Sequence, residues 1–112
     1  RAYGSFARLY SEYVRRREVL SLRTFIERST ALPAETFGLV DRGRLRPGAF
    51  ADIVVFDPAR YAAQATYEQP TRLATGVRTV LVNGVPVVEN GALTGAAPGR
   101  GLAHLPTPGS CP

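Results

Sequence analysis

Two carboxylates, Asp52 and Asp57, bracket four apolar residues in "ADIVVFDP", residues 51 to 58. A nearby pair of carboxylates can act as general acid and general base, or supply half of a metal site. The spacing argues against both. In a strand, an offset of five places the two side chains on opposite faces, about 16 Å apart along the axis. Carboxylates that share glycoside chemistry stand roughly 5–10 Å apart. Asp52 shares a face with Val54 and Phe56, and Asp57 precedes Pro58 and fits the start of a turn. Both read as the ends of a strand.

The other reactive residue types are few. His104 and Cys111 are the only His and the only Cys, and both lie in a Pro/Gly-rich tail. A metal site needs several such ligands at workable spacing, and neither Cys-x-x-Cys nor His-x-His occurs. A Cys–His nucleophilic pair needs a rigid scaffold, which that tail does not offer. "GAAPGRG" (95–101) has the glycines of a phosphate loop but follows no buried parallel strand and opens no helix. There is no Lys for Schiff-base chemistry. The chain's own residues therefore predict no catalytic constellation and no metal site.

The elements that would carry any site divide at about residue 40. Residues 5–17, "SFARLYSEYVRRR", predict an amphipathic helix with Ser5 as its cap. Phe6, Leu9, Tyr10, Tyr13 and Val14 form its apolar stripe. Arg15, Arg16 and Arg17 make a solvated helix end, where the dipole favours positive charge. Ser21 predicts the N-cap of a second helix to about Thr30, with Leu22, Phe25 and Ile26 facing inward. Pro33 fits the first turn of a third helix, and Gly38 its C′ position.

From Asp41 onward the signals are those of strands and turns. "DRG" and "RPG" are turns. "ADIVVFDP" predicts a strand with apolar residues on both faces, hence one covered on both sides. Residues 59–76 read as loop. Asn83-Gly84, between two β-branched runs, predicts a hairpin with a type I′ turn, because both central residues need positive φ. Pro86 has no N–H, so its strand is an edge or carries a bulge there. A second turn follows at Asn90-Gly91, and residues 94–112 are expected to be irregular.

Composition limits the alternatives. At 112 residues the chain has room for one domain. All fourteen basic residues are Arg and the net charge is +5, but they scatter from position 1 to 100. A nucleic-acid interface would gather them into a patch, so none is expected. No apolar run approaches the ~20 residues of a membrane span, so no membrane partner is expected. One Cys permits no internal disulfide, in keeping with a cytoplasmic location. The chain opens at Arg1 without Met, and a short sheet with open edges wants partners. Both lead to the expectation of a longer parent polypeptide.

"ALPAETFGLVDRGRLRPGAFADIVVFDP" resembles the C-terminal signature of the amidohydrolase superfamily. "RAYGSFARLYSEYVR" (1–15), "TYEQPTRLATGVRTVLVNGVPVVENG" (66–91) and "TGAAPGRGL" (94–102) are similar to its N-acyl-D-amino-acid deacylase branch. The resemblance runs nearly unbroken from Arg1 to Leu102; Arg23 and Thr24 replace residues that are often acidic, and the tail beyond Leu102 matches no known motif.

The resemblance implies an α+β piece of a larger enzyme. Residues 1–40 would be the terminal helices of a (β/α)8 barrel. Residues 41–112 would be the C-terminal part of a composite β-sandwich domain, irregular from about 94. It implies zinc-dependent hydrolysis of N-acyl-D-amino acids, in which a metal-activated water attacks the amide. The metal ligands and the catalytic Asp of that branch precede the matched region, so this chain alone is expected to bind no metal and to be inactive. Its partners would be the small-molecule substrate and the missing N-terminal part of the same polypeptide. One site residue carries over. Arg1 opens the matched motif and corresponds to the Arg associated with the substrate's α-carboxylate, which a guanidinium binds bidentately.

Three rival readings make different demands. A hydantoinase- or dihydroorotase-like enzyme would open cyclic amides. A small basic protein would use residues 5–17 and 22–30 as a helix-turn-helix, although "EVLS" lacks a turn Gly and the second helix offers only Arg23 and Arg28. An interaction module would pair another chain along an open sheet edge.

Overall fold

The computed structural model describes residues 2–103, which form a helical part followed by an antiparallel sheet. Arg1, His104 and Cys111 fall outside the described residues.

The first helix departs from expectation in two ways. Helix α1 spans Ser5–Leu9 with Gly4, not Ser5, at the cap position, and the chain then widens into a π-helical segment, Tyr10–Arg16. A π turn bonds each N–H to the carbonyl five residues back, as Arg17 N–H does to Glu12 at 2.9 Å. The buried face also differs from the expected stripe. Ala7 and Tyr10 are buried, whereas Phe6, Leu9 and Tyr13 are exposed. Which face turns inward depends on what lies opposite, and here Tyr61 packs on Tyr10, ring centroids 5.3 Å apart. Glu12 meets both Arg16 and Arg17, the Arg17 guanidinium also lies over the Tyr13 ring at 5.6 Å, and both arginines remain largely exposed, as a helix end predicts.

Helix α2, Leu22–Ser29, starts as its sequence dictates: the Ser21 hydroxyl accepts the Thr24 N–H at 3.1 Å. Of its three inward-facing candidates only Phe25 is buried; Leu22 and Ile26 keep substantial exposure. Helix α3, Ala31–Thr36, carries Pro33 in its first turn. It closes with a Schellman motif. Gly38 has φ +64°, its N–H bonds the Glu35 carbonyl at 3.2 Å, and the Leu39 N–H bonds the Ala34 carbonyl at 2.8 Å.

Strands β1 (Ile53–Phe56), β2 (Val77–Val82), β3 (Val85–Glu89) and β4 (Ala92–Leu93) form a meander in the order β1-β2-β3-β4. Asn83 (φ +51°) and Gly84 (φ +80°) make the predicted two-residue turn between β2 and β3, and Asn90-Gly91 repeats it before β4. The register shifts twice. Val55 faces Thr79 but Phe56 faces Val77, so Arg78 is an extra residue in β2. Val80 faces Val88 but Leu81 faces Pro86, so Val87 is an extra residue in β3. A bulge therefore accommodates Pro86. The expectation that β1 is covered on both sides is not met: Val54 and Val55, on opposite faces, are 55% and 48% exposed. β1 is an edge strand: Tyr10 and Tyr61 pack on Phe56 at its end, while Val54 and Val55 stay open.

Helices and sheet meet at one aromatic cluster. Tyr10 sits 5.3 Å from Phe25, 5.9 Å from Phe56 and 5.3 Å from Tyr61, ring centroid to centroid. Its hydroxyl donates to the Pro58 carbonyl at 2.8 Å.

Candidate functional site

The two aspartates serve different ends of β1. Asp52 pairs with Arg42 and accepts the backbone N–H of Asn83 at 2.9 Å. Asp57 accepts the Ala59 N–H at 2.8 Å, forming the turn after Phe56, and Arg60 stands 3.7 Å away. They share no partner, and neither faces a third titratable group that would give it work as an acid or base.

Arg42 organises the larger junction. Its side chain is only 13% exposed. Besides Asp52 it donates to Asn83 Oδ1 at 2.8 Å and lies over the Phe50 ring at 4.1 Å. Asn83 in turn donates to the Pro98 carbonyl at 2.9 Å. One guanidinium thus ties the loop after α3, the start of β1 and the β2–β3 turn together. Partial burial opposes ionisation of Asp52, but the Asn83 N–H and the Arg42 guanidinium outweigh it, so its pKa is lowered. An open cleft beside this junction is lined by Thr30, Arg42, Asp52, Asn83 and Arg100. Among the described residues its lining includes no histidine and no cysteine, and its one carboxylate, Asp52, is paired with Arg42.

A second junction lies at the start of α1. Gly4 is buried against the strap 62–66, where a Cβ on it would stand 3.3 Å from the Ala65 Cβ and 3.6 Å from the Ala63 Cβ. The Arg8 guanidinium donates to the Ala65 carbonyl at 2.8 Å. The strap is fixed at one end by backbone bonds between Ala62 and Thr75, at 3.3 and 3.0 Å, and at the other by the Thr66–Gln69 turn. Nothing local in the sequence marks this contact; "QATYEQP" reads only as loop.

Among the described residues no group of three or more His, Cys, Asp or Glu is placed to hold a metal ion. The predicted carboxylate binder, Arg1, lies outside the described residues, three positions before Gly4. Arg16, Arg17, Arg23, Arg42, Arg44, Arg46 and Arg60 each face a carboxylate, so they form no single-signed stripe. No helix among the described residues is long and apolar enough to cross a membrane.

Large apolar side chains are exposed on both parts, including Phe6, Phe37, Val40, Leu45 and Val54.

Residues 2–88 match the family model described as "Amidohydrolase family". The chain is 47% identical over 104 residues to a D-aminoacylase of Alcaligenes xylosoxydans xylosoxydans, covering 93% of this chain and 22% of that protein. It superposes on a solved D-aminoacylase with a TM-score of 0.79 at 44% identity, covering 83% of this chain and 20% of that one. That structure is described as having a binuclear metal centre. It also superposes on the N-acyl-D-glutamate deacylase of Bordetella bronchiseptica, solved with zinc and a phosphonate mimic of the tetrahedral intermediate. The TM-score there is 0.73 at 49% identity, over 75% of this chain and 18% of that one. The chain thus spans about a fifth of the length of the relatives it matches.

Proposed function

The chain belongs to the amidohydrolase family, and from that premise we propose that it is the C-terminal part of a zinc-dependent deacylase that hydrolyses N-acyl-D-amino acids to a carboxylate and a D-amino acid. The observation that carries this reading is the near-continuous identity to a D-aminoacylase across the chain. In this reading residues 1–40 are the last helices of the barrel, and residues 41–112 belong to its β-domain and work in the cytoplasm. The exposed faces of α1 and β1 are covered by the rest of the same polypeptide, because apolar area of this extent gains from burial.

The described residues do not fit a zinc site, so no step of hydrolysis is assigned to them. Zinc is held by residues elsewhere in the parent enzyme, and the role of this part is to brace the barrel and to present Arg1. A guanidinium at Arg1 pairs with the substrate's α-carboxylate through two parallel hydrogen bonds. That places the D-amino acid's backbone end and leaves the acyl amide for the metal centre.

The test is a substrate panel on the complete polypeptide loaded with zinc. N-acyl-D-amino acids are the expected substrates, and the isolated 112-residue chain is expected to turn over none. Turnover of hydantoins or dihydroorotate in their place would favour a cyclic-amide hydrolase. Replacing Arg1 with Ala raises KM strongly in this reading, and unchanged kinetics remove the assignment.

A further inference from the structure

We propose that Asn90 is a site of spontaneous covalent modification: it loses its side-chain amide by deamidation through the Gly91 backbone nitrogen, while the matching Asn83 is protected by its partners. The proposal does not depend on the deacylase reading above. A contrast within one chain carries it, because two Asn-Gly turns of the same geometry differ in what holds the asparagine.

The turns are close copies. Asn83 and Asn90 have φ +51° and +50°, and Gly84 and Gly91 have φ +80° and +77°. Val82 faces Val85 across the first turn, and Glu89 faces Ala92 across the second. Each glycine N–H donates to a distant carbonyl, Gly84 to Ala51 at 3.0 Å and Gly91 to Arg78 at 2.9 Å. Neither glycine has a Cβ to obstruct attack by its nitrogen. Backbone and local sequence therefore give both sites the same start.

The side chains separate them. Asn83 Oδ1 accepts from Arg42 at 2.8 Å, and its Nδ2 donates to the Pro98 carbonyl at 2.9 Å. Both ends of that amide are fixed, so Cγ cannot swing toward the Gly84 nitrogen until both bonds break. Asn90 is exposed, and among the described residues its side chain has no hydrogen-bond partner. Its turn also opens more easily. Beyond it β4 contributes only Ala92 and Leu93, both exposed, whereas the Asn83 turn joins the longer strands β2 and β3. Short, exposed pairings open at low free energy.

The reaction balances with water alone. The Gly91 nitrogen bonds to Asn90 Cγ, the Cγ–Nδ2 bond breaks, and the proton from the Gly91 nitrogen leaves with the amide as ammonia. Water then opens the cyclic imide. Opening at Cγ leaves aspartate at position 90, and opening at the main-chain carbonyl leaves isoaspartate. Either product adds one negative charge.

The experiment incubates the complete polypeptide at mildly alkaline pH, folded and in urea, and maps both sites by mass spectrometry with isoaspartate detection. In urea the two asparagines, each followed by glycine, are expected to convert at similar rates. In the folded protein Asn90 is expected to convert roughly thirtyfold faster than Asn83, since two hydrogen bonds must break at Asn83 alone. Arg42→Ala removes one of those bonds and should speed Asn83 about fivefold, with Asn90 in the same chain as the reference. Asn90→Gln should abolish the fast product, because the longer side chain closes a ring far less readily.

Equal conversion of Asn83 and Asn90 in the folded wild-type protein overturns the proposal. So does an Asn90 that stays intact over the time in which the urea-treated protein converts. If Arg42→Ala speeds both sites in equal proportion, or leaves Asn83 unchanged, protection by these partners is wrong.

Discussion

The Tyr10 hydroxyl donates to the Pro58 carbonyl at 2.8 Å, across forty-eight residues of chain. Among the described residues Tyr10 is also the most buried large side chain, at 2% exposure, and it contacts Phe25, Phe56 and Tyr61. One residue thereby joins the π-helical segment, α2, β1 and the loop after it. Tyr10→Phe keeps the ring contacts and leaves the carbonyl unpaired, so it should cost about 1 kcal/mol. Tyr10→Ala empties the cluster and should cost about 3–5 kcal/mol. Urea unfolding of the two variants measures the difference; equal losses would mean that the ring contributes nothing beyond the hydroxyl.

Arg42 is the partner that makes Asp52 tolerable. Arg42→Ala removes the ion pair, the bond to Asn83 and the contact with Phe50 together. A cost of about 2 kcal/mol is expected, because a partly buried carboxylate is left with one donor. Asp52→Asn in the same background should recover part of it. A double-mutant cycle by denaturant unfolding measures the coupling, and additive losses would deny the pairing any energetic role.

Acid should weaken the fold through two carboxylates. Arg16 and Arg17 hold the Glu12 carboxyl at about 2, against an ordinary 4.5. The Asp52 pKa is also lowered, where partial burial is outweighed by Asn83 and Arg42. A depressed native pKa contributes stability that is fully present above the unfolded value and is lost as pH falls through the native one. Stability should therefore be flat above about pH 5 and decline toward pH 2. Glu12→Gln and Asp52→Asn should each flatten that decline, as read from urea midpoints across pH.

Gly76 has φ +85°, and a Cβ there would stand 2.4 Å from the backbone nitrogen of Tyr61. The Arg60 carbonyl carbon and the Tyr61 Cα would be almost as near, at 2.5 and 2.6 Å, and all three atoms belong to main chain, so no side chain can swing aside. Gly76→Ala combines left-handed strain with overpacking, for a loss on the order of 3 kcal/mol. Gly48→Ala, with φ +85° but open space around it, bears the strain alone and should lose less. Thermal unfolding of both variants separates the two effects.

The features legible in the sequence were those set by neighbours along the chain. The Ser21 cap, the Gly38 terminus and the Asn83-Gly84 turn each depend on a few consecutive residues, and each is found as predicted. The bulge at Pro86 follows from its missing N–H in the same way. The π-helical segment and the Ala7–Tyr10 face were not legible, because distant residues decide which side of a helix is buried. The strap contact is of the same kind: Arg8 and Ala65 are 57 positions apart, and neither carries a local mark of the other. The expected cover on both faces of β1 is not found among residues 2–103, where Val54 and Val55 are exposed.

The meander has a consequence for how the sheet assembles. β2 and β3 are joined by a two-residue turn, so their pairing closes almost no loop and carries little entropic cost. β1 must reach β2 across residues 57–76, and its last residues are aligned only when Asp57 N–H finds the Gly76 carbonyl at 2.8 Å. The hairpin should therefore form first and β1 dock later, with the loop around Tyr61 as the slow closure. Substitutions at Asn83 would then slow folding, and substitutions in β1 would chiefly speed unfolding.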